Sequence, residues 1–243
     1  MGNNRIYIGP PVELVVYRND IVVRHLGNGR GGIQNAARRE CYEWSWKSRR
    51  SLAFVASNTN IEFDVMVTLT YPRSYPGDGK TCKRHLNAFL QFMRRRIKGL
   101  SYLWFFEFQR RGAPHFHILY KSMGVMVPKE DLSVRWYSIV DSGDDRHLKA
   151  GTRVEKIRSK DGARRYAVKY AQKMEQKAVP KGFRSVGAFW NCSRDVRPRT
   201  LGTVTLEGGS NQLERMLEDW PHMSNAASGY SVLYNATEFL TLG

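Results

Sequence analysis

The chain has 243 residues, 42% hydrophobic and 25% charged, enough apolar material for one good core with added segments at the ends. Its 39 Lys and Arg against 22 Asp and Glu give a net charge of +17, an excess that repels itself unless a polyanion neutralises it, so nucleic acid is the expected partner. No apolar run approaches the ~18 residues of a membrane-spanning helix, which argues against a membrane protein.

The first residues, MGNNRIYIGPP, lack the charged-then-apolar pattern of a secretory signal, and a cytoplasmic location is expected. Cys41, Cys82 and Cys192 are scattered and form no CxxC pair, which argues against a disulfide framework and a structural zinc finger; reduced thiols are expected. From Thr200 onward Arg215 is the one basic residue, facing Glu207, Glu214, Glu218, Asp219 and Glu238, so the basic body precedes an acidic appendage.

Residues 1–60 hold an apolar patch (VELVVY, IVVRHL), a Gly-rich stretch (GNGRGG) and the basic run WKSRRSL, and are expected to form an N-terminal extension that packs on the core and contributes possible DNA contacts. From Ile61 the segment IEFDVMVTLTYP is β-branched and ends at Tyr-Pro, a strand running into a turn. Thr81 is expected to cap a helix whose Leu86, Phe89, Leu90, Met93 and Ile97 recur at helical spacing, with Arg94, Arg95, Arg96 and Lys98 on its other face and a stop at Gly99. Two strands, LWFFEFQ and HFHILY, follow around a short RRGAP turn. Pro128 suits the first turn of a helix over about 129–140; a polar loop, a strand at TRVEKI and a helix over about 163–176 complete the order. Hairpin-linked strands with helices between them point to an α+β domain over 61–199, a central antiparallel sheet flanked by helices, with 200–243 as the appendage.

Three pieces carry chemistry. Side chains alternate along a strand, so His115 and His117 stand on one face, close enough to share a metal ion; a bare His-x-His is more often an ordinary pair of strand histidines. If RRGAP makes a tight hairpin, Glu107 on the preceding strand comes beside them and completes a three-sided site with open positions for water or phosphate. Zinc hydrolases with the same ligand types place His-Glu-x-x-His on a helix, which is absent here. Third, in RRYAVKYAQK, Tyr166 and Tyr170 share one helical face, and Lys169 and Lys173 each follow a tyrosine by three residues. Alone this reads as a helix with buried tyrosines and solvated lysines. A free tyrosine has a pKa near ~10 and needs such a lysine, and a metal-bound phosphate, to act as a nucleophile.

Together these residues resemble the HUH endonuclease superfamily, and within it the rolling-circle replication initiators (Rep proteins) of small single-stranded DNA phages and plasmids. VTLTYP resembles the first family motif; EFQRRGAPHFH, with Glu107 eight residues before His115, resembles the second; YAVKYAQK resembles a doubled Tyr-x-x-Lys, the two-tyrosine form of phage initiators; and GAFWNCSR is similar, more loosely, to a later phage stretch. The resemblance covers roughly residues 61–195 and implies the Rep nickase fold, a compact RRM-like sheet flanked by helices.

It further implies that Glu107, His115 and His117 hold Mg²⁺ or Mn²⁺ and that Tyr170 and Tyr166 attack a phosphodiester, leaving a 5′-phosphotyrosyl link and a free 3′-OH. The expected substrate is single-stranded or supercoiled origin DNA in a bacterial host, gripped through phosphates by Arg94, Arg95, Arg96, Lys98, Arg164 and Arg165. Host polymerase and helicase are the expected partners, since no GxxxxGK[ST] loop occurs in the chain. Two alternatives stay open: an HUH transposase or relaxase using the same site, and a non-catalytic nucleic-acid binder in which Trp104, Phe105, Phe106 and Phe108 are stacking platforms.

Overall fold

The computed structural model describes residues 11–26, 44–159, 162, 166, 167, 169, 178–207, 223, 224 and 232–234. In chain order the elements are β1 (Val12–Val16), β2 (Asp20–His25), α1 (Trp46–Asn58), β3 (Val65–Thr70), α2 (Gly79–Arg96), β4 (Tyr102–Phe108) and β5 (Pro114–Tyr120). After these come α3 (Lys129–Val140), α4 (Asp145–Ala150), β6 (Thr152–Lys156), β7 (Trp190–Cys192), β8 (Gly202–Leu206), β9 (Met223–Ser224) and β10 (Val232–Tyr234). The class is α+β with antiparallel sheets, as the hairpin-linked pattern implies.

Two compact units emerge. One gathers Met1–Ala37, Ser57–Thr59 and Pro198–Gly243; the other holds Arg38–Ala56 and Asn60–Arg197. In the first, the strands are ordered β8-β1-β2-β10-β9, so the segments expected as an N-terminal extension and a C-terminal appendage both give strands to one sheet. Its inward residues Val12, Leu14, Val16, Ile21, Val23 and Leu206 are buried.

The second unit is built on the order β6-β3-β5-β4-β7. β4 (YLWFFEF) is buried along its whole length, as a near-continuous apolar strand covered on both faces should be. Trp104, Phe105, Phe106 and Phe108 therefore belong to the core, which removes them as platforms for stacked bases. The stripe Leu86, Phe89, Leu90 and Met93 buries α2 as its spacing predicts. Its cap differs from expectation: Asp78 is the N-cap and accepts from the Thr81 amide at 2.9 Å, because the short acidic side chain three residues earlier reaches the free amides better than the Thr81 hydroxyl can.

α3 spans the expected residues. α4 lies in the stretch read as a polar loop, and α1 and β7 had no counterpart in the sequence pattern. Residues 162, 166, 167 and 169 are helical, within the span expected as the last helix; the rest of that helix lies outside the described residues. Cys82 and Cys192 are free thiols, and no helix of the described residues is long and apolar enough to cross a membrane.

Candidate metal centre

The register of the three central strands fixes the site. Thr68 pairs with His117, which pairs with Phe105; Thr70 pairs with His115, which pairs with Glu107. Directly paired residues in an antiparallel sheet point to the same side, so all six side chains share one face. The β4–β5 turn is tight: the Gln109 amide donates to the Ala113 carbonyl at 2.9 Å, and Gly112 takes φ +80, where a side chain is strained. That turn is what brings Glu107 opposite His115.

Glu107 and His117 are buried and His115 is half-buried. One ligand atom from each of Glu107, His115 and His117 lies within 4.8 Å of the others. Bonds of about 2.0–2.2 Å to one ion need only small side-chain adjustments from there, and two imidazoles with one carboxylate suit a hard to borderline divalent cation. The donor set therefore fits a metal.

The imidazoles are held by the protein's own groups. His117 Nε2 lies 2.9 Å from Glu107 Oε1 and its Nδ1 lies 3.1 Å from Thr68 Oγ1. A threonine hydroxyl both donates and accepts, so Thr68 serves either tautomer; with Nε2 given to a metal, Nδ1–H donates to Thr68. His115 Nε2 lies 3.4 Å from Thr70 Oγ1. Ring stacking adds to this: His115 and His117 centroids are 4.5 Å apart, and His117 lies 4.9 Å from Phe105 with planes 23° apart.

Thr70 is itself locked. Its carbonyl accepts from Trp136 Nε1 and His147 Nε2, each at 2.9 Å, and its amide donates to the Gly151 carbonyl at 2.8 Å. A carbonyl only accepts, so His147 carries its proton on Nε2, and Nδ1 accepts from the Ser142 hydroxyl at 2.9 Å. Burial pushes the His147 pKa down, which keeps it neutral. A side chain at Gly151 would meet His147 Cδ2 at 2.4 Å, so glycine is required there.

The other expected residues are placed as follows. Tyr166 is half-buried and packed against the core, and Lys169 is exposed. Tyr170, Lys173, Arg164 and Arg165 lie outside the described residues. Arg94 donates to the Tyr102 hydroxyl and Arg96 to Asp131, while Arg95 and Lys98 are exposed. Tyr102 opens β4 and Glu107 lies near its far end, so Arg94 touches the strand about 16 Å from the metal residues, at ~3.3 Å per residue. Thr68 and Thr70 stand in the VTLTYP motif, but their part in holding the imidazoles was missed; an alternation of threonines on a strand paired to His-x-His is the signal that would have found it.

Residues 64–175 match the family described as replication-associated protein ORF2/G2P. The matched stretch takes in β3, the whole metal centre, and Tyr166, Lys169, Tyr170 and Lys173. It supports a role in replication initiation, with DNA as the partner. No curated protein and no solved structure matches the chain.

Proposed function

We propose that the protein nicks and rejoins one DNA strand to start rolling-circle replication. The observation that carries this is the convergence of Glu107, His115 and His117 on one sheet face, inside the stretch that matches a replication-associated family. A divalent cation, Mg²⁺ or Mn²⁺, bound by these three would polarise the scissile phosphate and offset charge on the departing oxygen.

Tyr170 or Tyr166 supplies the nucleophile. The phenol oxygen forms a bond to phosphorus as the bond from phosphorus to the 3′ oxygen breaks; the phenol proton leaves and the 3′ oxygen gains one. The products are a 5′-phosphotyrosyl link and a free 3′-OH, which a host polymerase can extend. Lys169 and Lys173, three residues after their tyrosines, favour the phenolate as it develops. The covalent bond retains the phosphodiester energy, so the second tyrosine can later exchange ends and close a circle without ATP. Tyr170, with a lysine on either side at 169 and 173, is the proposed first nucleophile.

The test is incubation with labelled single-stranded origin DNA and Mn²⁺. A denaturation-resistant adduct is expected, lost in EDTA, reduced in Y170F and absent from Y166F/Y170F. An adduct of undiminished yield in the double variant would end the tyrosine mechanism.

A further inference from the structure

Beside the metal centre lies a cleft of about 310 Å³, lined by Thr70, Tyr71, Arg73, Arg111, Asp144, Arg146 and His147, with Pro72, Ala150 and Gly151 completing the wall. None of its arginines is among the cations expected from sequence to contact DNA. Three guanidiniums face one carboxylate, and His147 adds no charge because burial keeps it neutral. Asp144 already accepts the Arg146 amide at 2.9 Å, and no ion pair joins Arg73, Arg111 or Arg146 to a carboxylate among the described residues. The cleft therefore carries uncompensated positive charge.

Its floor and one rim are rigid. Arg111 donates through Nη1 to the Pro72 carbonyl at 2.8 Å, through Nη2 to the Tyr71 carbonyl at 2.6 Å and through Nε to Gln109 at 2.9 Å. Five donors less those three leave two N–H groups for a ligand. This clamp ties the β3–α2 loop to the β4–β5 turn, and Tyr75 closes it by donating its hydroxyl to the Arg111 carbonyl at 2.9 Å. Arg73 and Arg146 are exposed at the rim. Thr70 belongs to both places: it lines the cleft, and its hydroxyl lies 3.4 Å from His115. Whatever fills the cleft adjoins whatever is held by the histidines.

We propose that this cleft seats the nucleotide next to the scissile phosphate, with Arg73 and Arg146 as its phosphate contacts and Arg111 as the fixed wall. Guanidinium forks match phosphate oxygens in a way that a point charge does not. The volume is at the low end of small-molecule sites, about 300–1,000 Å³, of the order of one nucleotide. The assignment rests on the DNA-nicking reading of the adjoining site.

The test is anisotropy of a labelled single-stranded oligonucleotide with the full chain, in EDTA and over a range of salt, comparing wild type with R73Q/R146Q. Both side chains are exposed, so the melting temperature should stay within about 2 °C. Affinity is expected to fall about tenfold, and the slope of log K against log salt to shrink by about 1.4, at ~0.7 per phosphate contact on a single strand. Unchanged affinity and slope would overturn the proposal, and so would an equal loss on a duplex of the same length. Adduct formation with Mn²⁺ is measured in parallel. A wild type that makes no adduct while the variant loses binding removes the nicking chemistry and keeps the cleft as a strand-binding site. A wild-type adduct together with undiminished binding by the variant removes the cleft and keeps the chemistry.

Discussion

On one face of β3, β4 and β5, Thr68, Thr70, Glu107, His115 and His117 answer one another through three polar contacts, Thr68 to His117, His117 to Glu107 and Thr70 to His115. On the opposite face the Lys83 ammonium, from α2, sits 3.9 Å from the Phe106 ring, 4.9 Å from Trp104 and 5.2 Å from Phe116, its Nζ buried with no hydrogen-bond partner. Both faces bury polar groups among aromatics, and they do so to different ends. The first set is complementary and still has coordination to offer, which is the arrangement of a ligand site. The second has only ring quadrupoles to hold its charge, so burial dominates and lowers the Lys83 pKa to about 7. Buried polarity signals a site when the groups come as a matched set; a lone buried charge signals a cost.

Substitutions at four positions sharpen that contrast. Glu107→Gln keeps the size and the hydrogen bond but loses the charged ligand, and should weaken Mn²⁺ binding by more than about 100-fold in calorimetric titration, beyond the 10–100-fold of a supporting partner. Wild-type affinity in this variant would show that the carboxylate is no ligand. Lys83→Met keeps the stem and removes the ammonium, and should raise stability by about 2 kcal/mol at pH 7 while leaving Mn²⁺ affinity unchanged. Its sign follows from linkage. Lys83 titrates near 10.5 unfolded and near 7 folded, so between those values the unfolded chain binds the extra proton. Wild-type stability therefore gains from Lys83 as pH rises from 7 to 10.5, and below 7 the cost is present in full. Urea unfolding across that window should show the rise in wild type and not in the variant; parallel curves would contradict the burial argument. Thr68→Val should cost roughly tenfold in Mn²⁺ affinity with little change in melting, and Thr68→Ser should restore it. Thr70→Val, whose contact to His115 is the longer at 3.4 Å, should cost roughly two- to threefold. If Thr70→Val were the more damaging of the two, the order of these contacts would be wrong.

Much of the central sheet and the convergence of Glu107, His115 and His117 could be read from the chain, because local rules place them. Alternation puts His115 and His117 on one side, a five-residue turn with Gly112 returns the strand, and Glu107 follows from the register. The apolar spacing of α2 and α3 is likewise local. Apart from the 13-residue α1, what escaped reading depends on short or distant relations. α4 has six residues and β7 three, too few for a period to register. The cationic cleft joins Arg73 and Arg111 from two separate loops with Arg146 from the first turn of α4, and nothing in any one of these segments announces the other two. Thr81 looked like a cap because Gly79 obscured the start of the helix that Asp78 caps. The nucleophile proposed for Tyr166 and Tyr170 rests on their spacing to Lys169 and Lys173 in the sequence, and Tyr170 and Lys173 fall outside the described residues.

The first sheet has a practical corollary. β1 is zipped to β8 along five residue pairs, from Val12 opposite Leu206 to Val16 opposite Gly202. Cutting the chain after residue 197 to isolate the second unit would leave β1 and β2 as a bare hairpin, marginal in water and with a raw edge open to self-association. A trimmed version meant to stay monodisperse should shed both extremities or neither.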